Sequence, residues 1–187
     1  AQARIRRIGS VAEPQFADAY AMLFREFGEK GEVETQEILA QRFAWNGAPP
    51  ADGYALHYEL LTVEDPASGQ LIAVSDHSVI VCCDPREREL WNEVVVHASH
   101  SFVDPAFRGR GLTHELLCQR IETARRCFST IHGTHGDAPA RVAVVGEVEI
   151  PTDDPRETGK RAEQIARLKW LGCTGYRRVD PAAIAYA

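Results

Sequence analysis

Val103-Asp104-Pro105-Ala106-Phe107-Arg108-Gly109-Arg110-Gly111-Leu112-Thr113 is the stretch on which the fold of this chain turns. Upstream of it, Trp91 to Val103 is rich in β-branched residues and reads as a long strand. Downstream, Leu112, Leu116, Ile121 and Ala124 recur at helical spacing. Pro105 ends the strand, because it lacks the N–H that a ladder needs. Gly109 and Gly111 let the backbone approach a ligand without a Cβ in the way. The first N–H groups of a helix have no intrahelical acceptor, and the helix dipole favours an anion beside them. Arg108 and Arg110 add positive charge, so the junction is a candidate pyrophosphate cradle.

Towards the N-terminus, the strand before the junction is the third of three. Tyr54 to Val63 and Leu71 to Cys82 are the others, separated by the turn sequence Asp65-Pro66-Ala67-Ser68-Gly69. Short connections predict an antiparallel meander. Before it, Asn46 to Gly53 reads as a loop, and two helical patterns precede that loop. Phe16, Tyr20, Leu23, Phe24 and Phe27 mark the first, after Pro14, with Gly28 and Gly31 at its end. Thr35 is the expected N-cap of the second, with Ile38, Leu39 and Phe43 on one face. Ala3 to Ile8 reads as a first strand.

Towards the C-terminus, a loop over His132 to Ala140 precedes a strand from Arg141 to Ile150. A polar loop over 151–160, a helix from Ala162 to Leu171 stopped by Gly172, and a short strand at Tyr176–Val179 complete the chain. The order β-α-α-β-β-β-α-β-α-β predicts a mixed α/β (α+β) fold, with a largely antiparallel sheet flanked by helices, as one domain over residues 1–187.

Composition narrows the function classes. Of 187 residues, 44% are hydrophobic and 26% charged, which is ordinary globular usage. No apolar run exceeds six residues, as at Ala182 to Ala187, and a membrane span needs about 20. The net charge of −6 argues against nucleic acid as a partner. Five cysteines, an odd number without a Cys-x-x-Cys pair, argue against a disulfide framework and a zinc ribbon. They fit a reducing, cytoplasmic setting with mostly buried thiols. His132-x-x-His135 is too sparse a pair for a metal site, so no metal is expected.

The junction resembles the signature of the GNAT superfamily of N-acyltransferases, Arg/Gln-x-x-Gly-x-Gly/Ala after a strand ending in Val-x-Pro. Val103-Asp104-Pro105 and Arg108-Gly109-Arg110-Gly111-Leu112-Thr113 match it except at Thr113, which replaces a Gly or Ala. Leu171-Gly172-Cys173 is similar to the family's Leu-Gly-Phe, and the element order agrees over most of the chain. The resemblance implies acetyl-CoA or another acyl-CoA as co-substrate, its pyrophosphate on the N–H groups from Gly109 to Thr113. The pantetheine would run along the end of the strand at Phe102 and Val103. The thioester would sit where that strand and Arg141–Ile150 splay apart. Acceptor contacts would come from the first two helices and the loops at 46–53 and 151–160. The acceptor is a small-molecule amine or a protein amine.

Aminolysis of a thioester needs a neutral amine, and an alkylammonium has a pKa of about 10.4. A base must therefore take a proton. Alternation puts Glu93, Val95, His97, Ser99, Ser101 and Val103 on one face of the strand, and Val94, Val96, Ala98, His100 and Phe102 on the other. A bulge swaps the faces, and the family often has one here. Histone-type members carry a Glu six residues before the Val of Val-x-Pro, and His97 stands at that position. Glu93 shares its predicted face. Glu147 and Glu149 share a face of the next strand and form an acidic patch able to hold an ammonium. The family's usual proton donor, a Tyr four residues before the Gly of Leu-Gly-Phe, is Leu168 here, with Tyr176 or Tyr186 as substitutes. That replacement keeps two further readings in view: a silent GNAT-fold module that binds CoA or protein, and an enzyme using acyl carrier protein or another thioester reaction. The 15 residues after Gly172 are fewer than the family's final two strands use. This leaves open a truncated chain, a homodimer or a fusion to another domain.

Overall fold

Residues 3–87, 92–133, 141–147, 154, 156, 158–173 and 175–177 are described in the computed structural model of the protein. Two units divide the chain, Ala1–Gly146 and Glu147–Ala187. The first is built on a five-stranded sheet in sequential order: β1 (Arg4–Ile8), β2 (Tyr54–Glu64), β3 (Leu71–Cys82), β4 (Glu93–Val103) and β5 (Arg141–Val145). β1 to β4 are antiparallel neighbours, and β5 runs parallel to β4. The meander predicted from the short turns is present. In the β2–β3 turn the Asp65 carboxylate accepts from the Ser68 hydroxyl at 2.7 Å, and Gly69 N–H bonds the Asp65 carbonyl at 2.8 Å.

Helices cover both faces of the sheet. Phe16, Ala19, Met22 and Leu23 of α1 (Phe16–Phe27), with Leu39 and Phe43 of α2 (Gln36–Phe43), pack on Ile8, Tyr58, Leu60 and Val74. Leu112 and Leu116 of α3 (Leu112–His132) pack on Leu61, Val63 and Ala73, and Ala124 and Phe128 on Val79, Val81, Val94 and Val96. Because Leu60 and Leu61 alternate, the two helix layers lie on opposite faces. The central strands are buried on both faces, and β3 is apolar at both ends, Leu71–Val74 and Val79–Cys82, with Ser75-Asp76-His77-Ser78 between them.

Several local expectations are met. Thr35 caps α2, its hydroxyl accepting from Ile38 N–H at 3.4 Å. Others need correction. Ile38 and Phe24 are exposed, because the buried stripes of these short helices are narrower than the apolar sequence. On α3 the buried stripe runs through Arg120 and Thr123, and Ile121 is only half-buried. One residue along a helix turns about 100°, enough to take Ile121 off the stripe. Cys82 is buried and Cys83 and Cys127 half-buried, but Cys118 and Cys173 are exposed.

α3 extends through His132, past its expected end, and the loop over 134–140, with His135, lies outside the described residues, as does Trp91. β5 stops at Val145 rather than Ile150, of which 148–150 lie outside the described residues. In the second unit, α4 (Thr158–Cys173) contains the predicted helix, and Tyr176 N–H bonds the Leu171 carbonyl at 3.0 Å. Tyr176 and Arg177 are not in a strand; the rest of that predicted strand, and Tyr186, lie outside the described residues. Among the described residues no helix is long and apolar enough to cross a membrane.

Candidate functional site

β4 is regular up to Ala98 and then gains a residue. His77 pairs with Ala98 and Asp76 with His100, so Ser99 has no partner on β3 and forms a β-bulge. Ser78 pairs with His97. Asp76 and Ser78 share a face of β3, so their partners His97 and His100 share the corresponding face of β4. Simple alternation had separated these two histidines. The bulge brings both to the α1–α2 side, where the Phe27 ring lies 5.0 Å from that of His100. Phe102 packs in the α1–α2 core and Val103 in the α3 core.

The other edge of β4 opens at the same place. Its ladder with β5 runs from Glu93↔Arg141 to His97↔Val145. A Cβ added at Gly146 would lie 3.0 Å from the Ala98 carbonyl oxygen, so a larger residue would push the two strands apart by a few tenths of an ångström. Among the described residues, β4 from His100 to Val103 has ladder partners only on the β3 side, and Ser99 has none on either side. Its free edge leads directly into the strand–helix junction.

At that junction Asp104 accepts from Ala106 N–H at 2.9 Å, and Pro105–Phe107 form one 3-10 turn. Gly109 and Gly111 both have positive φ, 75° and 80°. Nothing lies within 4 Å of where their Cβ atoms would be, so glycine is required for conformation rather than clearance. Gly111 is the N-cap of α3 and Glu115 N–H bonds its carbonyl at 3.0 Å. The N–H groups of Leu112, Thr113 and His114 therefore have no acceptor within the helix. Leu112 is buried and Thr113 exposed.

Both arginines brace the turn as well as charging it. Arg108 Nε donates to the Val103 carbonyl at 3.0 Å, and the Arg110 guanidinium lies 4.7 Å from the centre of the Phe107 ring. A cavity of about 230 Å³ beside the turn is lined by Asp65, Ile72, Phe107, Arg110, Leu112 and Glu115.

The predicted catalytic residues are distributed unevenly. His97 is exposed, at the last rung before β5 parts from β4, with Nδ1 3.4 Å from the Ser99 hydroxyl. Glu93 is at the far end of β4 and pairs with Arg141 at 3.2 Å. Glu147 is exposed and belongs to the second unit; Glu149 lies outside the described residues. Leu168, at the usual tyrosine position, is exposed on α4.

Sequence reading missed the polar groups behind the bulge. Asp76, almost wholly buried, bonds His100 Nδ1 and the His100 N–H, each at 2.9 Å, and accepts from the Tyr58 hydroxyl at 2.9 Å. His100 Nε2 meets the Glu32 carbonyl at 3.0 Å. An acceptor at each ring nitrogen favours the imidazolium form of His100: burial opposes it, but Asp76 and the Glu32 carbonyl outweigh burial and raise the pKa. Burial likewise opposes ionisation of Asp76, and His100 and Tyr58 override it to keep the carboxyl low. Burial and the nearby carboxylate push the Tyr58 phenol up. The visible signal was Asp76-His77 inside the apolar run Leu71–Cys82, two titratable residues where a central strand needs none. Among the described residues no cluster of His, Cys, Asp and Glu is arranged to hold a metal.

Sequence comparison finds no matching family and no matching curated protein. Comparison of structures does find likenesses. A predicted acetyltransferase with acetyl-CoA from Clostridium acetobutylicum is 12% identical with a TM-score of 0.54, covering 96% of this chain and 93% of its own. An aminoglycoside acetyltransferase from an uncultured soil metagenomic sample is 10% identical with a TM-score of 0.55, covering 100% and 97%. The aminoglycoside N-acetyltransferase AAC(6')-Iy, in complex with a bisubstrate analogue, is 17% identical with a TM-score of 0.53, covering 100% and 98%. Strand order, the glycine turn into α3 and these three likenesses agree: the chain has the fold of the GNAT N-acyltransferases.

Proposed function

We propose that this protein is an acyl-CoA-dependent N-acyltransferase, moving an acyl group, acetyl in the simplest case, to a primary amine. The observation that carries the reading is the continuity of one surface. Among the described residues, the edge of β4 that has no ladder partner begins at the bulge beside His97 and ends at the N-terminus of α3, behind two left-handed glycines. A thioester at the bulge and a pyrophosphate at the helix start suit the two ends of that surface. The N–H groups from Gly109 to Thr113, with Arg108 and Arg110, would hold the pyrophosphate. Phe102 and Val103 would border the pantetheine.

In the reaction the amine nitrogen attacks the thioester carbonyl carbon within a ternary complex. The C–N bond forms, the C–S bond breaks, and CoA leaves as the thiolate. Backbone N–H groups on the free edge of β4 stabilise the charge that grows on the carbonyl oxygen. His97, exposed at the last paired rung, takes the amine proton directly or through water. It suits this role better than Glu93, which lies four residues before it on β4 and already pairs with Arg141. Glu147 and Glu149 remain candidates for drawing in the ammonium. Thiolate is a passable leaving group, since a free thiol has a pKa of about 8.5, so loss of the usual tyrosine at Leu168 is tolerable. Two of the similar structures carry aminoglycoside acetyltransferase names, which favours a small-molecule amine as acceptor.

The test is isothermal titration with acetyl-CoA and with CoA. Binding is expected for the wild type and weakened in Arg108→Ala, followed by acetyl transfer to members of an amine panel. No binding of either ligand overturns the reading in favour of a carrier-protein thioester. Binding without transfer to any amine favours a silent module.

A further inference from the structure

The backbone of one residue on β4, His100, is held on both sides of its Cα by side chains from both faces of the sheet. The extra residue at Ser99 interrupts the ladder, and backbone groups beside a bulge lose their regular partners. At His100 side chains replace them. The His100 N–H donates to Asp76 Oδ1 at 2.9 Å. The His100 carbonyl accepts from Arg120 Nη2 at 2.9 Å and from the Ser75 hydroxyl at 3.1 Å. Arg120 also donates to the Ser75 hydroxyl, which ties β3, β4 and α3 together at this point.

Asp76 reaches the peptide from the side of α1 and α2, where it also bonds Tyr58. Arg120 reaches it from α3. The two are only 1% and 7% exposed. A buried carboxylate and a buried guanidinium are costly, and apolar residues of similar size often do as well for stability. Here the two charges converge on the backbone of a single residue, Asp76 at the His100 N–H and Arg120 at the His100 carbonyl, in the one irregular segment of β4. That segment begins the free edge to which the acyl-transfer reading assigns the thioester.

We propose that Asp76 and Arg120 are positioning residues for acyl transfer, fixing the two peptide units that flank the His100 Cα from opposite faces so that the N–H groups of the bulge stay aimed at the thioester carbonyl. The proposal rests on the acyl-transfer reading. Neither residue touches the substrate. Each acts by removing the slack that an unpaired stretch of strand would have, and misplacement by about 1 Å is enough to cost a large part of such stabilisation. Ser75 is the weaker third member, because it bonds the same carbonyl without a charge. His100's own side chain contributes by pinning the bulge to the Glu32 carbonyl, with Phe27 against its ring.

The experiment is isotope-edited infrared spectroscopy of bound acetyl-CoA labelled at the thioester carbonyl, with the dissociation constant measured in parallel. In the wild type the carbonyl stretch should fall below that of free acetyl-CoA. In Asp76→Asn and Arg120→Lys it should return towards the free value, while affinity stays within about threefold because the pyrophosphate contacts are untouched. Arg120→Lys keeps the charge but not the planar fork, so it isolates geometry. Ser75→Ala is the variant least disturbing to folding and should show a partial return. An unchanged stretch in a variant that still binds acetyl-CoA overturns the positioning role, as does a wild type that binds with no downshift. A wild type that does not bind acetyl-CoA overturns the acyl-transfer reading itself and the positioning role with it.

Discussion

Two histidine–carboxylate pairs are buried on opposite faces of the sheet, and they are built differently. Asp76 and His77 are neighbours on β3, so they point to opposite sides. On the α1–α2 side, Asp76 meets His100 at 2.9 Å, and both imidazole nitrogens have acceptors. On the α3 side, His77 lies 3.8 Å from Glu59, too far for a hydrogen bond, and neither ring nitrogen has a hydrogen-bond partner among the described residues. Glu59 spends its oxygens elsewhere, accepting from Thr123 at 2.7 Å and Arg126 at 2.9 Å. The outcomes are opposite. Burial, reinforced by the Arg120 charge, holds His77 neutral with a pKa of about 4, whereas His100 is raised. Burial opposes ionisation of Glu59 too, but His57, Thr123 and Arg7 outweigh it and hold the carboxyl at about 2. A carboxylate nearby does not by itself charge a buried imidazole; it must also accept its proton in a hydrogen bond.

The sharpest way to break this comparison is Asp76→Ala. It strands the His100 imidazolium and the Tyr58 hydroxyl, and removing one member of a buried pair costs about 3–5 kcal/mol. Urea unfolding should read a loss of that size, and a loss below about 1 kcal/mol would mean the pair is dispensable.

His77 should make its presence felt through pH. An unfolded imidazole takes its proton near pH 6.5, the folded one only near 4, so the unfolded state binds more protons between them. Stability from this source is complete above about pH 6.5 and falls by about 3 kcal/mol on the way to pH 4. His77→Leu should flatten that fall, measured by urea unfolding at a series of pH values.

Thr123→Val removes one donor from the buried Glu59 carboxylate and should cost about 1–2 kcal/mol, less than Asp76→Ala because Arg126 remains. An equal cost would show that the two carboxylates are equally dependent on one partner. The smallest effect is the slope of the opposite sign expected from His100. Its folded pKa is raised, so its contribution is present below the unfolded value and lost as pH rises through the folded one. His100→Gln should remove that alkaline-side loss, and a thermal-unfolding series across neutral pH would detect it.

Much of the fold could be read locally. Pro105 stops β4, Gly109 and Gly111 supply the left-handed turn, and Asp65 to Gly69 closes the β2–β3 hairpin, each by a constraint on a few dihedral angles. The bulge could be foreseen only as a possibility, because Ser99 carries no mark of it. The choice between Ser99 and its neighbours is made by the register of β3 against β4, and that register is set by the cores on either side. Arg120 was hidden for a similar reason. On the α3 sequence it looks like a solvated charge, and only packing against Ser75 and the His100 carbonyl reveals that it faces inward.

The amino-acid sequence by itself determined the element order from β1 to α4 and the glycine junction at the start of α3, because these depend on periodicity and turn chemistry. Tertiary structure alone decided that His97 and His100 share a face, that Glu93 pairs with Arg141, and that Asp76 and Arg120 converge on the backbone of His100. Those relations join residues from different strands and helices. A single inserted residue in a two-residue repeat is enough to reverse which of them meet.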